Sequence, residues 1–173
     1  MIFYKIYGII YIENKKGEKN MSLIIFKIIC VIFGCYCVFK MVRDIPLYFT
    51  EEGRKSSEYT QNDLLENKKG DLPSEFDGLV LNIVNFILLS WVIIQVALGA
   101  VVMYLSTPFA PDMLMWAFKI VWIIWGTIAF IFEGLHIFKG SDYKISWKMM
   151  CALSVSSAIY YGLFVVVLLT TFN

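Results

Sequence analysis

Residues 113–138 read "MLMWAFKIVWIIWGTIAFIFEGLHIF". Lys119, Glu133 and His136 are the only ionisable side chains in this run. It exceeds the roughly 20 helical residues that cross a hydrocarbon core. Its apolar residues are continuous rather than alternating, which argues against a strand of a membrane barrel and for a helix whose backbone groups are satisfied within the segment.

Three further runs share this character. Residues 79–105 carry no charge, residues 145–172 carry Lys148 near their start, and the shorter run 22–39 is interrupted by Lys27. The chain is 59% hydrophobic and 17% charged, an apolar balance beyond that of a soluble domain. The expected fold is therefore all-α, an integral membrane bundle of four transmembrane helices over 22–39, 79–105, 113–138 and 145–172.

A net charge of +1 leaves no electrostatic footprint for nucleic acid. The expected partners are the lipid bilayer and either another membrane protein or a second copy of the chain. Cys30, Cys35 and Cys37 share the first span without CxxC or His/Cys spacing, so they read as packing residues, and no metal or cofactor is expected. The sequence "VIFGCY", 31–36, has the outline of a lipoprotein cleavage box at Cys35, but bulky Phe33 fits it poorly.

The segment "NKKGEKNM", 14–21, bears on where translation begins. Lys16, Gly17 and Glu18 back-translate to a sequence that can spell AAGGAG, a bacterial ribosome-binding site, about 8 nucleotides before the codon of Met21. Residues 1–20 then read as an extension upstream of a start at Met21. Charge asymmetry agrees, because lysine and arginine collect in cytoplasmic segments. Lys40, Arg43, Arg54, Lys55, Lys68 and Lys69 lie between the first two spans, and Lys139, Lys144 and Lys148 flank the third connection. The connection 106–112 and the tail "TTFN" have no basic residue. Both termini are expected outside a bacterial cytoplasmic membrane, with 40–77 as a cytoplasmic loop. That loop mixes charges of both signs and reads as solvated, with one short helix from Ser56 or Ser57 to before Gly70.

"STPFAPD", 106–112, makes a tight hairpin of the second and third spans. Folding it about Phe109 brings Asn85 level with Glu133 and Asn82 level with His136, with Ser154 of the fourth span at similar depth. These five residues form a candidate inner-leaflet polar site, since ionisable groups inside a span are costly. Interhelical hydrogen bonding and a headgroup-boundary position are the other readings of Glu133 and His136. The pair also resembles the Glu-x-x-His of carboxylate di-iron bundles, which use that motif twice, and this chain has it once. Ser154, Ala158 and Gly162 form a small-residue stripe for helix packing.

No nucleophile and base pair stands out. The expected function is a noncatalytic accessory, regulatory or self-protection protein acting within the membrane; the alternative is a small transporter or channel component that oligomerises.

Overall fold

The structure, a computed structural model, describes the backbone of residues 2–58, 74–139 and 143–171, and the side chains of 21–58, 78–80, 82–139 and 143–171. Everything described is helix, turn or irregular connection, with no strand among the described residues. In chain order come α1 (Ile2–Asp44), a 3-10 helix (Ile45–Phe49), α2 (Glu51–Ser57), α3 (Ser74–Ser106), α4 (Asp112–Lys139) and α5 (Trp147–Leu169). Among the described residues, four stretches are long and apolar enough to cross a membrane: Met21–Phe49, Gly78–Ser106, Asp112–Lys139 and Trp147–Leu169. This is consistent with a multi-pass membrane protein. The expected start at Met21 turns on residues 1–20, whose side chains lie outside those described. Most of the helix anticipated up to Gly70 lies outside the described residues as well.

Local chemistry sets the element ends. Pro46 is tolerated in the first turn of the 3-10 helix, where its missing N–H has no helical partner to lose. Thr50 caps α2 by accepting from the Gly53 amide at 3.1 Å. A short helix thus runs over 51–57 among the described residues of this connection. Ser146 caps α5 by accepting from the Lys148 amide at 3.3 Å, so that helix begins at Trp147, while Ile145 just before it is fully buried.

The last helix is the centre of the bundle. α5 packs along both α1 and α4, α4 pairs with α3 as the hairpin requires, and α3 touches α5 over a shorter stretch. Lys27 is buried and donates from Nζ to the Thr171 carbonyl oxygen at 2.9 Å. A cation at a helix C-terminus is favourably placed against the unsatisfied carbonyls there. This ties the middle of α1 to the end of α5.

Close approach between helices occurs at glycines other than the one in the expected stripe. A Cβ on Gly34 of α1 would lie 2.5 Å from Val165 Cγ2 and 3.3 Å from Phe164 Cδ1 of α5. On Gly162 it would meet nothing within 4 Å, and Ala158 is half-buried. Within the stripe, Ser154 alone is buried. Gly34→Leu is therefore expected to separate α1 from α5 and lower the melting temperature in detergent, whereas Gly162→Ala should melt like the parent. Equal losses from both substitutions would show that the stripe, not Gly34, sets this contact.

Large apolar side chains such as Ile25, Ile32, Phe86, Ile94, Ile123 and Ile131 point outward. In water such a surface would demand a cover; hydrocarbon supplies one.

Candidate functional site

Polar groups inside the bundle are arranged as a ladder along α5. At one level Tyr161 donates from its hydroxyl to Gln95 Oε1 at 2.6 Å, and Tyr160 donates to the Gln95 backbone carbonyl at 3.1 Å. Trp125 Nε1 donates to Ser157 Oγ at 2.8 Å one turn earlier on α5. Next, Ser154 Oγ and Tyr48 Oη lie 3.2 Å apart. Each of these levels joins α5 to a different neighbour. Buried polar groups of this kind specify one rotational setting for each helix, since another setting leaves them unsatisfied.

Aromatic stacking holds the same region. Trp125 and Tyr160 stack with ring centroids 4.4 Å apart and planes within 7°, and Tyr160 also stacks on Phe118 at 5.8 Å. α3 can come close because Gly99 has no side chain: a Cβ there would lie 2.5 Å from Tyr160 Oη and 2.6 Å from the Trp122 ring. Trp122 Nε1 donates to the Val96 carbonyl at 3.1 Å. Val96 and Trp122 are equidistant in sequence from Phe109. The hairpin register about that residue is thus realised at this depth.

Beside the ladder, toward the end of the bundle where α1 stops and α5 starts, the four long helices line a partly open chamber of about 280 Å³. α4 contributes Trp125, Ala129, Phe132 and Glu133; α5 contributes Met150, Leu153, Ser154, Ser157 and Tyr161. Trp91 and Val92 of α3 and Lys40, Met41 and Asp44 of α1 complete the wall, with Tyr48 at its end. Tyr48 is held in place from outside. Arg54 of α2 donates from Nε to the Tyr48 carbonyl at 3.0 Å while its guanidinium lies 4.4 Å from the Trp147 ring centroid.

Glu133 is only 6% exposed, and its Oε2 has no hydrogen-bond partner among the described residues. Leaving a buried acceptor unmatched costs about 1–3 kcal/mol, and more when it is charged.

The residues expected from the sequence divide. Glu133 and Ser154 stand on one chamber wall. His136 is buried one turn further along α4, packed edge-on against Phe132 and Tyr143 at 5.8 and 6.1 Å, and is not part of that wall. Asn85 is half-buried and Asn82 exposed on α3, and neither lines the chamber. The α3 side chains that do are Trp91 and Val92. Sequence reasoning missed Gln95, Ser157, Tyr161 and Tyr48. Gln95 carried a usable signal, being the longest polar side chain in an uncharged span. Tyr48 carried none, because its place depends on the chain folding back after α1.

Comparison of the chain with protein-family models, with curated proteins and with solved structures finds no match.

Proposed function

We propose that this protein is a noncatalytic component of a bacterial cytoplasmic membrane, an accessory, regulatory or self-protection protein that works by binding within the bilayer. The observation that supports this reading is the chamber with Glu133 in its wall. Its aromatic and hydroxyl groups are tied to one another, as in Trp125 to Ser157 and Tyr161 to Gln95, and a wall so fixed is suited to holding a molecule.

In the proposed orientation both termini are outside and the chamber end faces the cytoplasm. Lys40, Arg43, Arg54, Lys55, Lys139, Lys144 and Lys148 all belong to that end in sequence. In a cysteine-free variant, a single cysteine at Pro108 should react with an impermeant thiol reagent in intact cells, and one at Ser56 should not. Labelling at Ser56 reverses the topology.

The second reading is a transporter or channel subunit, for which the outward apolar face of α3, with Phe86, Ile87 and Ile94, offers a self-association surface. Proteoliposomes decide between the two. With an internal pH-sensitive dye and an imposed potential, the parent protein is expected to leak no faster than protein-free vesicles. Proton flux that disappears in Glu133→Gln would transfer the assignment to transport.

A further inference from the structure

We propose that the chamber beside Glu133 binds an organic ammonium group, carried either by a small amphiphilic amine or by an aminophospholipid headgroup. This inference rests on the binding reading above and adds the chemical class of the ligand.

Of the buried polar atoms without a partner among the described residues, the one that belongs to the wall is an acceptor. Glu133 Oε2 is buried without a hydrogen-bond partner among the described residues. Two donors on the wall are already committed: Trp125 Nε1–H to Ser157, and the Tyr161 hydroxyl to Gln95. An anionic ligand would therefore meet a carboxylate and few spare donors. A cation completes the site.

Aromatic surface supplies the second half of the argument. Trp91, Trp125, Phe132, Tyr48 and Tyr161 stand around the same space as Glu133. Aromatic faces attract cations, and the attraction grows as water is removed; aromatic walls around one carboxylate are how quaternary ammonium groups are recognised. A strongly hydrated metal ion is a poor fit, because it needs several oxygen ligands and this wall presents one buried carboxylate. Asp44, the other acid on the wall, is ion-paired with Arg43 at 3.2 Å. Lys40 is the other cation on the wall, yet its side chain is exposed and it makes no ion pair with Glu133 in the structure. The volume of about 280 Å³ accommodates a substituted ammonium with an aromatic or short alkyl group.

The test uses the full chain in nanodiscs and benzyltrimethylammonium as probe, with neopentylbenzene as its uncharged isostere, read by quenching or shift of tryptophan fluorescence and by calorimetric titration. The parent is expected to bind the ammonium at least about tenfold more tightly than the isostere, and Glu133→Gln should remove that preference while melting like the parent. Lys40→Gln should keep or strengthen binding, since it removes a competing charge. The lipid arm separates the two sources. If the natural occupant is a headgroup, the probe should bind more weakly in phosphatidylcholine or phosphatidylethanolamine nanodiscs than in phosphatidylglycerol nanodiscs; equal affinity in all three indicates a free amine. Equal binding of ammonium and isostere, or retention of the preference in Glu133→Gln, would overturn the proposal. Those outcomes leave the vesicle-flux result untouched, so a wrong ligand class and a wrong functional reading give different signatures.

Discussion

Tyr160→Ala is expected to be among the costliest single truncations in this protein, at about 3–5 kcal/mol by the range for deleting a fully buried aromatic ring. Tyr160 has no exposed surface. Its ring stacks on Trp125 and Phe118 and meets Tyr161 and Phe164, and its hydroxyl reaches the Gln95 carbonyl across the junction with α3. Truncation leaves a void where three long helices meet, and lipid cannot fill it from outside. Tyr160→Phe keeps the stacking and loses a single hydrogen bond to a carbonyl, so a loss near ~1 kcal/mol is expected. Reversible unfolding in mixed micelles, by denaturing detergent or by force, measures both. A Tyr160→Ala loss no larger than that of Tyr160→Phe would mean that the aromatic stack does not hold the bundle together.

Glu133→Leu is expected to act in the opposite direction, stabilising the fold by about 1–3 kcal/mol, because it removes a buried acceptor with no partner and puts apolar volume in its place. From the sequence alone the same substitution would be destabilising if Glu133 bonded Asn85, since it would strip the asparagine of its partner. The expected sign rests instead on Glu133 Oε2, which is buried with no partner among the described residues. Glu133→Gln leaves a buried polar group of similar shape and should melt close to the parent. A rise in melting temperature for the leucine variant, coupled with loss of ammonium binding, is the pattern of a residue retained at the expense of stability. A fall would return Glu133 to a structural role.

Helix existence was legible in the sequence because hydrocarbon imposes it: an apolar run long enough to span has no other way to satisfy its backbone. Hence 113–138 and 79–105 match α4 and the membrane-length part of α3 closely. The hairpin register was legible too, since a short connection leaves little freedom in pairing, and Trp122 with Val96 lies on it.

Four helices, their order and the level at which Glu133 sits all follow from reading the chain as a string of residues. Rotation about each helix axis does not, and it was fixed by packing in three dimensions. α5 is apolar on nearly every side, so nothing in its own pattern says which face carries Tyr160 or that it stands between α1 and α4. That choice is made where polar and aromatic groups from different helices meet: Gln95 with Tyr161, Trp125 with Ser157, Tyr48 with Ser154. These pairings join residues remote in sequence, so no local pattern specifies them. For the same reason the chamber wall around Glu133 drew Trp91, Tyr48 and Ser157 rather than the asparagines level with it: depth follows from counting residues, but facing follows from packing.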